Sequence, residues 1–301
     1  MVIWYLSDGK PGHLNQILGL IAALGEITPT ENFEIPIEQV KVPFLGWLFG
    51  IAKLPQDDKR DTATKPEIII GAGHGTHKAL LALSKKLSAK SMLLMSPSLP
   101  LPMFDFVCAP DHDRLPLNEN CLSTEGALNR MKPGKKIMGS GLILIGGPSS
   151  HAKWKSDKIL QQVSQLIEIK ADTHWVLTTS RRTPEDFIQK IEQKPNLKII
   201  HWQDTESNWL PETMSTTEEI WVTPDSVSMI YEALTAEANV GIFELKILPT
   251  RVSMGIERLV SEKRILCFDC LKSKEKWAEE PVPLNEAKRC ADWLLKKLAK
   301  L

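Results

Sequence analysis

Short apolar runs alternate with helically spaced apolar positions along most of this chain. Residues 2–6, 35–42, 68–70, 92–95, 104–109, 142–145, 175–177, 198–201, 220–222 and 240–245 are strand-like runs. Between them, Leu14, Ile17, Leu18, Ile21 and Leu24 predict one helix, stopped at Gly25. Val227, Ile230, Tyr231 and Leu234 predict another, and Ala287, Ala291, Leu294, Leu295 and Leu298 predict a last one over residues 285–300. Strands alternating with helices at this spacing indicate βαβ units and parallel sheets.

The pattern breaks at Lys132-Pro133-Gly134-Lys135-Lys136 and then restarts. It predicts an α/β protein of two Rossmann-like domains, 1–138 and 139–284, followed by the closing helix, 285–301. Residues 56–66 are charged and loop-like. Residues 43–54 are densely apolar but too short to span a bilayer. Two uses fit that stretch: packing against the core, or a patch facing a membrane.

The totals narrow the function classes. The chain has 301 residues, 43% hydrophobic and 25% charged, enough for two domains with real cores. A net charge of zero gives no sign of nucleic-acid binding. Residues 1–6 carry no basic leader or cleavage site, so a cytoplasmic protein is expected, peripheral to the inner face of a membrane if the apolar stretch docks there. Five scattered cysteines suit a reducing compartment better than a disulfide scaffold, and Cys267-Phe268-Asp269-Cys270 has no second pair to complete a zinc site. The oligomeric state is not legible.

Chemistry gathers in turns that follow predicted strands: residues 7–13, 71–77, 146–151, 178–184 and 223–226. In parallel sheets, ligands sit beyond the carboxyl ends of the strands, so these turns are expected to line one cleft. The turn at Asp8 to His13 lacks the G-x-G-x-x-G spacing of dinucleotide binders and is not a P-loop. At Thr223-Pro224-Asp225-Ser226, Pro224 holds Thr223 extended, and Asp225 or Ser226 can cap the helix that follows. A helix start bearing hydroxyls at Ser226 and Ser228 is a natural anion site, with Glu232 one turn on for a sugar hydroxyl. An ordinary capped helix explains the same residues.

Gly146 and Gly147 allow backbone to approach a bulky anion, Ser149 and Ser150 add hydroxyls, and Arg181 and Arg182 have the forked donors that suit a diphosphate, though a solvated surface explains the arginine pair as well. Asp225 beside a diphosphate would repel it, so a cap or sugar-hydroxyl acceptor is its better part. His13 has the pKa range of a general base; Asp8 can orient it or serve as base itself. A structural His at that turn fits equally. His74 and His77 give half a metal site, with no third ligand indicated, and no metal is expected.

Three stretches together carry a resemblance: WYLSDGKPGHLNQ at 4–16, TTSRRTP at 178–184 and VTPDSVSMIYEA at 222–233. They resemble the "elongate mitochondria" fission family, whose bacterial members are labelled nucleoside-diphosphate-sugar epimerase-like and whose plant members act at the outer mitochondrial surface. More remotely, the layout is similar to GT-B glycosyltransferases, especially the N-acetylglucosaminyltransferase that forms lipid II, with its G-x-x-G-H turn matched by Gly9 to His13. That resemblance implies two domains across a cleft and a closing helix that packs back on the first domain. It also implies a metal-independent glycosyl transfer from a nucleotide-diphosphate sugar, of the UDP type, without a further cofactor. The donor would lie on Gly146, Gly147, Ser149, Arg181, Ser226, Ser228 and Glu232, with His13 and Asp8 catalytic and a lipid or cell-envelope acceptor. An epimerase on the same fold and a non-enzymatic adaptor are the alternatives.

Overall fold

The computed structural model describes residues 1–54, 65–116, 118–150, 152–206, 208–248, 251–273, 275–278 and 283–300. Most of the stretch read as a charged loop at 56–66, and His151 at the end of the third turn, lie outside the described residues. The chain divides into two compact units, Met1–Arg130 with Asn285–Leu301, and Met131–Leu284. The division falls just ahead of the polar 132–136 turn, because Met131 is buried in a core of the second unit.

The first unit runs β1 (Val2–Ser7), α1 (Pro11–Ile27), β2 (Glu31–Pro36), α2 (Gly46–Phe49), β3 (Ile68–Ala72), α3 (His77–Leu87), β4 (Lys90–Leu94), β5 (Phe106–Pro110) and β6 (Cys121–Thr124). Its sheet has the order β2-β1-β3-β4-β5-β6, with every pair parallel. Strands buried on both faces need continuous apolar runs, which is why Ile68, Ile69 and Ile70 are all fully covered. The second strand lies earlier than its apolar pattern predicts, at 31–36 rather than 35–42. Pro36 cannot donate to a ladder, so the chain leaves the sheet there, and Ile37, Val40 and Val42 pack on the core from outside it.

The second unit runs β7 (Ile137–Leu144), β8 (Ala152–Lys153), α4 (Ser156–Ile169), β9 (His174–Thr178), β10 (Leu197–Ile200), α5 (Trp209–Thr216), β11 (Thr217–Val222), α6 (Val227–Thr235), β12 (Asn239–Ile242), β13 (Lys246–Ile247), α7 (Arg251–Ser261), β14 (Ile265–Cys267) and α8 (Phe268–Lys272). Its main sheet is again wholly parallel, in the order β10-β9-β7-β11-β12-β14. Counted along this unit alone, that is the doubly wound order, with the strand sequence reversing between β7 and β11.

The last helix, α9 (Glu286–Leu298), belongs to the first unit. Ala287, Cys290, Ala291 and Leu294 share a core with Ile17, Leu20 and Leu24 of α1. Asn285 caps it, its Oδ1 accepting the Lys288 amide at 3.0 Å, a contact worth about 1 kcal/mol. One expectation from the cysteines needs correcting: Cys267 and Cys270 are joined in a disulfide, while Cys108, Cys121 and Cys290 are free. Cys267 caps α8, so the three-residue spacing brings its sulfur to Cys270 within one helical turn. So small a loop constrains the unfolded chain little.

Candidate functional site

In each unit the turns singled out by composition converge where the strand order reverses. In the first unit that place is the carboxyl end of β1 and β3. Pro11 opens α1, at a position where its missing N–H has no partner to lose, and sets His13 in the first turn. His13 Nδ1 lies 2.9 Å from Asp8 Oδ2, and the Asp8 side chain is nearly buried. Asp8 Oδ1 accepts the Lys10 amide at 3.2 Å, which fixes the carboxylate in the turn. The opposite turn supplies Gly73, at φ +73°, a conformation side chains rarely adopt. A Cβ there would stand 2.2 Å from His13 Cε1, so the imidazole rests on bare backbone.

His74 and His77 meet edge to face, with ring centroids 6.2 Å apart. His77 is buried, its Nδ1 lies 3.0 Å from Ser98 Oγ and accepts the Ser98 amide at 3.4 Å, and its ring stands against Phe104. Burial, then the neighbouring His74, lowers its pKa to about 4, which holds the ring neutral.

In the second unit the β7 turn and the β11–α6 turn meet in the same way, but the sequence-level roles are redistributed. The Gly146 amide donates to Thr223 Oγ1 at 2.7 Å, and the Gly147 amide to Asp225 Oδ2 at 3.1 Å. The close approach that these glycines permit is made by the protein itself. A Cβ on Gly146 would lie 2.2 Å from Asp225 Oδ2, and one on Gly147 would lie 2.0 Å from the Arg182 carbonyl. Arg182 reaches Asp225 Oδ2 at 2.7 Å and donates to the Gly147 and Pro148 carbonyls at 3.1 and 3.2 Å. Thr183 Oγ1 closes the turn from the other side, 2.6 Å from the Gly146 carbonyl.

Asp225 is therefore not the cap of α6. Its carboxylate turns away into the glycine turn, where Arg182 neutralises it. Ser226 stands at the cap position, yet its side chain makes no capping bond. The start of α6 keeps the orphan amides of an uncapped helix, with Ser226 half-buried and Ser228 exposed beside them. Arg181 is exposed and makes no ion pair among the described residues, so of the two arginines it is the one with an uncommitted guanidinium. Ser149 and Glu232 are both half-buried, the first in the glycine turn and the second one turn into α6. The sequence assigns no role to the Thr183 and Thr223 hydroxyls. Their signal is a hydroxyl beside a turn, able to bond nearby backbone, which is too common to stand out.

The whole chain resembles solved structures of two epimerases and a forosaminyltransferase. A putative UDP-N-acetylglucosamine 2-epimerase from Listeria monocytogenes superposes with a TM-score of 0.64 at 11% identity, covering 99% of this chain and 96% of that one. The UDP-GlcNAc 2-epimerase of Neisseria meningitidis, solved with UDP-GlcNAc bound, gives 0.54 at 13% identity with complete coverage of both chains. The spinosyn forosaminyltransferase gives 0.52 at 11% identity, covering 99% of this chain and 98% of that one. These likenesses establish the fold, two Rossmann-like units of the GT-B type. No curated protein sequence matches the chain. The sequence profile of the family described as mitochondrial fission ELM1 matches residues 11–298, nearly the entire chain, and the protein belongs to that family.

Proposed function

We propose that the protein is a metal-independent glycosyltransferase that takes a nucleotide-diphosphate sugar, of the UDP type. The observation that carries this reading is the uncapped start of α6 at the switch point of the second sheet, with Ser226 and Ser228 beside it and an acid that is already neutralised. The diphosphate rests on the α6 amides and on Ser226 and Ser228, and Arg181 adds charge. Gly146, Gly147 and Ser149 shape the pocket from behind, and Glu232 takes a ribose hydroxyl.

His13 is the base. With Nδ1–H held by Asp8, Nε2 is left to accept the acceptor's hydroxyl proton. The freed oxygen bonds to the anomeric carbon, the bond from that carbon to the diphosphate oxygen breaks, and the diphosphate leaves with the electron pair. Holding that leaving charge is work for preorganised donors such as a helix start. The acceptor is a lipid or cell-envelope saccharide, met at the inner face of a membrane.

A second reading, epimerisation of the sugar on the same donor, draws on the likeness to the 2-epimerases. It asks for free carboxylates around the sugar, and Asp225 is tied to Arg182 and buried, which favours transfer. An adaptor without catalysis is the reading suggested by the plant members of the family. A panel of nucleotide sugars, followed by thermal shift and then product analysis with and without acceptor, separates the three. Release of nucleoside diphosphate that depends on acceptor supports transfer. Conversion of the sugar without acceptor supports epimerisation, binding without turnover supports the adaptor, and no binding overturns both enzyme readings.

A further inference from the structure

The apolar stretch at 43–54 forms a lobe on the first unit. Its base is closed by paired backbone bonds between Lys41 and Lys53, both 3.0 Å. Val42, Trp47, Ala52 and Leu54 anchor it in the core. The remaining large side chains face out: Phe44 is 94% exposed, Phe49 75%, Ile51 51% and Leu45 42%. Isolated exposed apolar residues are ordinary, but four within eight consecutive residues form a patch that a lone soluble domain has no use for.

The lobe is held in this presentation rather than left loose. Leu45 is in the left-handed region at φ +61°, and Gly50 at φ +69° lies so close to α3 that a Cβ would stand 3.0 Å from the Lys85 side chain. Lys85 Nζ donates to the Leu48 carbonyl at 2.9 Å and Lys86 Nζ to the Ala52 carbonyl at 2.7 Å. The rim is therefore cationic: Lys41, Lys53, Lys85 and Lys86 are all exposed, and residues 41–54 contain no acid.

We infer that this lobe docks the protein on an anionic lipid bilayer, with Phe44, Leu45, Phe49 and Ile51 entering the interface and the four lysines meeting headgroup charge. Aromatic side chains that insert together with basic residues at headgroup level are the chemistry of an interfacial anchor, and the four lysines are the charge complement of an anionic surface. The inference uses no residue of the nucleotide-sugar site and stands whether or not sugar transfer occurs.

The test is co-sedimentation of the full chain with vesicles of phosphatidylcholine alone and with added phosphatidylglycerol, at low and high salt. Binding to the anionic vesicles, weakened by salt, is expected. Phe44→Ser with Phe49→Ser should reduce it about a hundredfold, at roughly tenfold per removed aromatic. Lys41→Glu with Lys53→Glu should erase the preference for anionic vesicles. Because all four positions are exposed, unchanged circular dichroism and Tm establish that the variants are folded. Absence of binding, equal binding to both vesicles, or undiminished binding by the aromatic variant overturns the inference. So does a dimer that Phe44→Ser dissociates in a protein that ignores vesicles, since the patch would then cover a second copy of the chain.

Discussion

The Arg182 guanidinium lies 2.7 Å from an Asp225 carboxylate whose side chain is wholly buried while the arginine remains 40% exposed. One oxygen of that carboxylate takes both Arg182 and the Gly147 amide, and the other is buried without a hydrogen-bond partner among the described residues. The pair locks three turns to one another and removes the negative charge that would otherwise oppose an anion at α6. Arg182→Ala should therefore cost about 2–3 kcal/mol, below the range for a fully buried pair because the arginine is partly in water. Adding Asp225→Asn should recover at least half of that loss. Chemical denaturation of the two single variants and the double variant measures it.

Gly73 carries a different constraint. Gly73→Ala places a methyl where His13 now sits and puts a side chain at φ +73°, ψ 163°, a backbone region nearly confined to glycine, which costs about 1–3 kcal/mol before any contact is counted. The imidazole must move, so the His13–Asp8 contact is expected to open. The His13 ring resonances in wild type and variant report that movement separately from the change in Tm.

If transfer is observed, His13→Ala should lower kcat by about two to four orders of magnitude with little change in donor affinity. Asp8→Asn should have a smaller effect, because it leaves Nε2 in place but loosens the ring. Single-turnover rates and nucleotide affinity, measured side by side, distinguish loss of a base from loss of binding.

His77 predicts a pH dependence. Its folded-state pKa of about 4 lies below the 6.5 of the unfolded chain, so on acidification the unfolded chain takes up the proton first. Stability should fall as pH drops from 6.5 to 4 and level off below 4, by up to roughly 3 kcal/mol from this residue. Urea midpoints across that range should show the slope in wild type and its reduction in His77→Phe.

Much of the fold was legible because parallel strands buried on both faces leave unbroken apolar runs, as at Ile68 to Ile70. The turns were legible because glycine, serine and threonine gather at strand ends. The second strand was misplaced because Ile37, Val40 and Val42 continue the apolar pattern past Pro36, and pattern alone does not separate a strand from a packed turn. The part played by Asp225 was hidden for another reason. Its partners come from turns after β7 and β9, and only the sheet order brings those turns together. Capping preference, the local signal, pointed instead to the helix that Asp225 precedes.

The central claim is that a diphosphate rests on the start of α6, and Ser228→Asp tests it most directly. An acid in the first turn suits the helix dipole, so the variant should keep or slightly raise its Tm while repelling a bound phosphate. Calorimetric titration with UDP should show binding to wild type that is lost in Ser228→Asp. Undiminished binding by the variant, or no binding of UDP to wild type, would contradict the account.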